Sequence, residues 1–177
     1  MDIHLPRLHW EHRLPDWPAA AAAGFAAGAA LMVLELLWTS MVTADNPWQV
    51  SHLIAAILMG PGPLQTTGFE VLVVGVALVT HYALGIGFGL VLAWIIAGFH
   101  FETSPGLMVA VGAVFGLVLY VINFYVMVRV FPWFEPLRGW PTFVAHLVFG
   151  IVAALMYWRL DRQGVTPERT GAGRVVS

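Results

Sequence analysis

Residues 70–99 read EVLVVGVALVTHYALGIGFGLVLAWIIAGF, and this run decides the fold because its only charged side chain is the Glu at its start. An α-helix needs about 20 mainly apolar residues to cross the hydrocarbon core of a bilayer. This run is longer than that, which leaves room for the helix to tilt. Similar runs occur at about 18–42, 107–131 and 141–159. We therefore predict an all-α, polytopic membrane protein built as a bundle of four transmembrane helices.

The remaining segments are short and fit a single membrane domain over residues 1–177. A polar N-terminal arm (1–17) precedes the first run, and a polar, glycine-containing tail (161–177) follows the last one. The first run is too long for the apolar region of a signal peptide, so we expect it to remain as a membrane anchor. A shorter apolar piece at about 48–60 predicts a short interfacial or re-entrant helix, because it cannot span the bilayer.

Composition excludes several classes of function. The chain is 59% hydrophobic and 10% charged, whereas soluble proteins have about 25% charged residues. Its net charge is -2, and it has no basic stripe, so we expect no nucleic-acid partner. It contains no cysteine, which excludes disulfides, thiolate catalysis, iron–sulfur clusters and covalently attached c-type haem.

The distribution of arginine predicts the orientation in the membrane. All basic side chains are Arg; two lie in the N-terminal arm and four in or beside the tail, whereas residues 43–69 have none. Cytoplasmic segments carry the excess of positive charge, so we predict that both termini are cytoplasmic. Tryptophans prefer the two membrane interfaces. Those expected at the outer interface are Trp38, Trp48, Trp133 and Trp140.

A repeated pattern predicts that the bundle is a duplicated helical hairpin. In the first and third helices, a second glycine follows the first after four residues and a polar residue follows after seven more, which is Glu35 in the first helix and Asn123 in the third. In the second and fourth helices, His81 and His146 are each followed by small residues at intervals of four. Small residues on one helix face let two membrane helices approach closely. We therefore expect helix packing at Gly24, Gly28, Gly85, Gly89, Gly112, Gly116 and Gly150.

Four polar residues are expected to meet inside the bundle: Glu35, His81, Asn123 and His146. Each shares a helix face with glycine or alanine, and a carboxylate facing lipid would cost several kcal/mol. Because a helix rises by 1.5 Å per residue, Glu35, Asn123 and His146 are expected roughly 8–12 Å below the outer surface. In an up-down-up-down bundle the two histidines would face each other across the core.

Several interpretations of this polar layer stay open. The first is a non-catalytic accessory or binding protein that holds a metal ion or a b-type haem on His81, His146 and Glu35. Asn123 and His52 would then support the ligands without contacting the metal. The second is a small proton, ion or metal transporter or channel that uses Glu35 and the histidines. The third is a purely structural polar cluster that fixes the helix register.

Three stretches resemble a family of small bacterial inner-membrane proteins with no assigned function. They are Val121-Ile-Asn-Phe-Tyr125, Phe131-Pro-Trp-Phe134 and Ala145-His-Leu-Val-Phe-Gly150. With His81 and the segment around Trp48, the resemblance covers most of residues 20–160. It implies a four-helix protein of the bacterial inner membrane and supplies no activity.

No catalytic motif is present. The sequence lacks a Ser/His/Asp set, a zinc-protease motif, a phosphate loop and paired catalytic carboxylates, so we do not expect an enzyme. The expected partners are the lipid bilayer and either subunits of a membrane complex or further copies of this chain. Little of the chain is predicted to lie outside the bilayer, and its glycine-rich helix faces suit packing against the helices of another chain.

Overall fold

The computed structural model describes residues 14–43, 46–99, 101 and 104–164, and this part of the chain is helical without strands. Most of the predicted N-terminal arm and of the C-terminal tail lies outside these residues. The five longer helices are α1 (Trp17–Trp38), α2 (Gln49–Met59), α3 (Val71–Phe99), α4 (Pro105–Val121) and α5 (Trp140–Gly164). Helical turns of other types connect or extend them at Thr39–Thr43, Gly62–Gln65, Ile122–Val126, Met127–Arg129 and Pro132–Leu137.

Four helices are long and apolar enough to cross a membrane, which confirms the predicted bundle. They cover Trp17–Met41, Val71–Phe99, Pro105–Arg129 and Trp140–Arg162, close to the predicted spans. The third span is less regular than predicted, because α4 ends at Val121 and continues as π-helical and 3-10 turns. The short helix expected at about 48–60 is α2, whose 11 residues are too few to span.

The sequence explains where two of the spans begin. The Asp16 side chain accepts a hydrogen bond from the Ala19 amide at 3.0 Å, which caps α1. The Ser104 hydroxyl accepts one from the Leu107 amide at 3.2 Å, which caps α4. A proline follows within two residues of each cap, where its fixed φ angle suits the first turn of a helix. A capping side chain and a nearby proline therefore fix the first residue of each span.

The four spans form an open square. α1 packs against α3 and α5, and α5 packs against α4, whereas α3 and α4 make few contacts with each other. This arrangement places the second and fourth spans, α3 and α5, on one diagonal. We call the end of the bundle that carries α2 the α2 end; α1 and α4 run toward it, and α3 and α5 run away from it.

Glycines lie where the helices of each hairpin cross. A methyl group on Gly89 of α3 would lie 2.6 Å from Gly24 Cα and 2.8 Å from the Ala20 carbonyl oxygen of α1. A methyl group on Gly112 would clash with the Gly150 carbonyl oxygen, and one on Gly116 with the His146 carbonyl oxygen. These contacts involve backbone atoms, so larger residues would push the helices apart. Both hairpins thus cross on their glycine faces, and the gene duplication itself stays a prediction.

α2 is held over the α2 end of the bundle by side-chain hydrogen bonds. The Trp133 indole N–H donates to the Leu53 carbonyl oxygen at 3.1 Å. His52 is buried, and its Nδ1 and Nε2 lie 2.8 Å from the carbonyl oxygens of Pro63 and Gly68. The ring therefore ties α2 to the loop that leads into α3. Gly60, at a φ of 72°, ends α2 in a conformation that favours glycine.

Candidate functional site

The four predicted polar residues line one cavity at the α2 end of the bundle. Its volume is about 420 Å³, and all four spans, α2 and the turns after α4 contribute to its walls. Glu35, Asn123 and His146 each lie six residues from the α2 end of their span, and His81 lies ten, which places the layer about 9–15 Å deep. Three of the four therefore lie at one depth, and His81 lies about one helical turn deeper.

Apart from these four, the cavity lining is apolar. Twenty residues line it, and the other sixteen are glycine, aliphatic, methionine or phenylalanine. Val50, Ile54 and Ile57 of α2, with Phe131 and Phe134 of the following turns, close it at the α2 end. The structure thus makes an apolar chamber with a polar layer.

The cavity is open on the side where α3 and α4 make few contacts. Leu84 of α3 and Ile122, just after α4, both line the cavity, and they remain 43% and 40% exposed. Among the described elements, α3 and α4 pack mainly against α1, α2 and α5 rather than against each other.

His146 is fixed by two hydrogen bonds that define its tautomer. Its Nδ1 lies 2.8 Å from the Thr142 carbonyl oxygen, which can only accept, so Nδ1 carries the proton. In the neutral ring Nε2 is then an acceptor, and the Asn123 side-chain N–H₂ donates to it at 3.2 Å. Asn123 lies in the π-helical turn Ile122–Val126, and such turns occur frequently at functional sites.

His81 contacts the backbone of the neighbouring span. Its Nε2 lies 2.9 Å from the Gly28 carbonyl oxygen and therefore donates a proton to it. In the neutral ring the Nδ1 atom keeps a free lone pair. A methyl group on Gly28 would lie 3.6 Å from this Nε2, which is an ordinary van der Waals distance, so the imidazole packs directly beside this position of α1.

Glu35 lies at the boundary of two cavities. It lines the main cavity and also a second one of about 160 Å³, between α1, α2 and α3, which His81 lines as well. Its carboxylate has no hydrogen bond or ion pair with any described residue. Its backbone carbonyl oxygen accepts from the Thr39 hydroxyl at 2.8 Å, at the start of the π-helical extension of α1.

Three of the four ring nitrogens of His81 and His146 contact protein groups. Within residues 14–164, the described positions include no group of three His, Asp or Glu side chains close enough to hold a metal ion. A haem or metal bound through Nε2 of His81 and His146 would require both nitrogens to leave the Gly28 carbonyl and the Asn123 amide. The metal and haem hypotheses therefore stay predictions. His52 does not line the cavity and instead holds the loop after α2.

Sequence reasoning did not identify the aromatic part of the site. Five phenylalanines line the cavity: Phe88, Phe124, Phe131, Phe134 and Phe149. Two of them lie one turn or less from a predicted polar residue: Phe124 follows Asn123, and Phe149 is three residues after His146. That proximity was the available signal, but aromatic residues are common in membrane helices as packing residues.

Comparison with known proteins adds no family or function, since no family model, curated protein or solved structure matches this chain.

Proposed function

We propose that this chain is a non-catalytic integral membrane protein that binds a small, lipid-soluble molecule in the cavity between its four spans. The observation that carries the proposal is the cavity of about 420 Å³, apolar except for one layer of four polar side chains. Sites for small molecules are typically of about 300–1,000 Å³ and mostly apolar, with a few polar groups that fix orientation.

Two further features support a ligand that comes from the membrane. The cavity opens between α3 and α4, where a molecule dissolved in the bilayer would enter, and α2 with the phenylalanines that follow α4 lines its α2 end. A purely structural polar cluster needs no chamber beside it, because packed membrane helices fill the space around their polar contacts. The chamber therefore favours binding over a role in helix register alone.

Binding of a neutral probe tests the proposal. The protein, reconstituted in nanodiscs, is titrated with 1-naphthalenemethanol by calorimetry, and the heat from empty nanodiscs is subtracted. We expect saturable binding that Leu84→Trp abolishes, because the larger side chain fills the cavity. Val91→Trp is the matched control, since Val91 lies two turns further along α3, is similarly exposed and does not line the cavity. Equal binding by both variants would contradict the proposal.

A haem or metal ion on His81 and His146 is the second candidate, because both imidazoles line the same cavity from different helices. It needs the rearrangement of both Nε2 contacts described above. The visible spectrum and the metal content of the protein, purified without chelator, distinguish it from the first proposal. A haem absorption band that is lost in a His81→Ala, His146→Ala double variant would favour this candidate.

For the cellular setting, we propose the bacterial inner membrane with both termini in the cytoplasm. The arginine distribution and the resemblance described above support this placement. A reporter fused to each terminus, active only in the cytoplasm or only outside it, tests the orientation.

A further inference from the structure

The cavity offers hydrogen-bond acceptors in excess of donors, which limits the chemistry of a ligand that binds there. Three acceptors have no donor among the described residues: the Glu35 carboxylate, Nδ1 of the neutral His81 ring, and the Asn123 side-chain oxygen. The last two follow from the contacts that use His81 Nε2 and the Asn123 amide nitrogen. A ligand that satisfies this layer therefore carries N–H or O–H donors.

The cavity also contains a carboxylate that pairs with no basic side chain in the described part of the chain. None of its twenty lining residues is Arg or Lys, and its two histidines, His81 and His146, hydrogen-bond to Gly28, Thr142 and Asn123 instead of Glu35. Arg138, which directly follows the turn Pro132–Leu137, contacts other groups: its guanidinium lies 4.5 Å from the Tyr125 ring centroid, and its Nε donates to the Phe124 carbonyl oxygen at 2.9 Å. An ionised carboxylate inside a membrane protein is costly unless it is paired. A positive charge on the ligand would supply that pair.

The phenylalanines provide a second attraction for a positive charge. The faces of aromatic rings are electron-rich and attract cations, and the attraction grows when water is excluded. Phe88, Phe124 and Phe149 belong to the spans, and Phe131 and Phe134 lie in the segment between α4 and α5. The cavity thus combines one acid, two further acceptors and five aromatic rings, and this combination fits an organic cation with an apolar body.

We propose that the ligand is a lipophilic amine whose ammonium group pairs with Glu35 and whose apolar body occupies the phenylalanine-lined part of the cavity. This inference rests on the proposed function, since it names the ligand class of the same cavity. A neutral alcohol satisfies the acceptors without neutralising Glu35, and an organic acid adds a second negative charge beside it. Both should therefore bind less tightly than the amine.

A matched set of probes tests the charge preference. The nanodisc titration is repeated at pH 7 with 1-naphthalenemethylamine, 1-naphthalenemethanol and 1-naphthoic acid, which share one ring system and differ in the polar group. We expect the amine to bind at least tenfold more tightly than the alcohol, and the acid to bind weakest. Glu35→Gln should lower the affinity for the amine at least tenfold and that for the alcohol much less, because only the amine loses an ion pair.

The outcomes separate this inference from the proposed function. If the alcohol binds as tightly as the amine, or if Glu35→Gln leaves amine binding unchanged, the inference is overturned while binding in the cavity stands. If no probe binds saturably, or if Leu84→Trp leaves all binding intact, both proposals fail. Saturable alcohol binding by Glu35→Gln shows that this variant is folded, so loss of the amine's advantage over the alcohol supports the inference. Glu35→Asp is not an alternative to Glu35→Gln, because aspartate would keep the negative charge.

Discussion

Gly150→Ala should destabilise the bundle, because the added methyl group meets backbone atoms of α4. It would clash with the Gly112 carbonyl oxygen and lie 2.8 Å from the Gly116 amide nitrogen and 3.0 Å from the Gly112 carbonyl carbon. These atoms belong to a regular helix and cannot rotate away as a side chain can. The helices α4 and α5 must therefore separate, with loss of the contacts along their crossing.

The magnitude follows from the cost of overpacking a close contact, typically about 1–3 kcal/mol. The matched control is Gly75→Ala in α3, where an added methyl group has no neighbour within 4 Å among the described residues. There the change should stabilise the helix by about 0.5–1 kcal/mol, because alanine loses less backbone entropy than glycine. The same substitution thus has opposite effects at the two positions.

The assay is unfolding of the purified protein in mixed micelles by a denaturing detergent, followed by far-ultraviolet circular dichroism. Wild type, Gly150→Ala and Gly75→Ala are compared under identical lipid and detergent conditions. A free energy of unfolding for Gly150→Ala equal to that of Gly75→Ala would refute the close crossing of α4 and α5 at this glycine.

Three further predictions concern the site and its cover. Trp133→Phe removes the indole hydrogen bond to the Leu53 carbonyl oxygen, which is worth about 1 kcal/mol. Amide hydrogen exchange across α2 (Gln49–Met59) should therefore become faster, while exchange in α5 stays unchanged. Asn123→Leu removes the side chain that donates a hydrogen bond to His146 Nε2, and it should lower the free energy of unfolding by about 1–3 kcal/mol. Detergent unfolding measures this value, and an unchanged free energy would contradict the contact. Elemental analysis should find far less than one iron, zinc or copper atom per chain, and near-stoichiometric metal that disappears in the His81→Ala, His146→Ala double variant would instead favour the second candidate.

The fold was largely predictable because the membrane imposes strong constraints on sequence. Each span appears as an apolar run of the required length, and the structure places the four spans within a few residues of the predicted limits. The depth of the polar layer was also predictable, since each helix rises by a fixed distance per residue and turns by a fixed angle. Glu35 and His146 therefore reach the same cavity although they lie more than a hundred positions apart.

The details around the cavity were not predictable from helical periodicity. The π-helical turn that holds Asn123 departs from the regular geometry on which the prediction depended. His52 contacts the carbonyl oxygens of Pro63 and Gly68, and the path of an irregular loop does not follow from residue types. The sequence left open whether His81 and His146 bind a ligand or protein groups, and it did not predict that three of their four ring nitrogens contact the Gly28 and Thr142 carbonyl oxygens and the Asn123 amide.

The chamber itself arises from the incomplete contact between α3 and α4. The glycine faces bring α1 close to α3, and α4 close to α5, but no such face joins the second span to the third. The glycine faces predict which pairs of helices pack closely, but they do not predict which side of a four-helix square remains open. The aromatic lining from Phe131 and Phe134 depends on how the chain returns after α4, which is again a property of an irregular segment.

Photochemical labelling tests most directly whether the cavity is the binding site. A diazirine derivative of 1-naphthalenemethylamine is activated in nanodiscs containing the protein, and the labelled residues are mapped by mass spectrometry. The account predicts labels on cavity residues such as Leu31, Leu84 and Leu119, which excess unlabelled amine removes. Labels confined to outward-facing residues such as Val91 and Val114, and insensitive to competition, would contradict it.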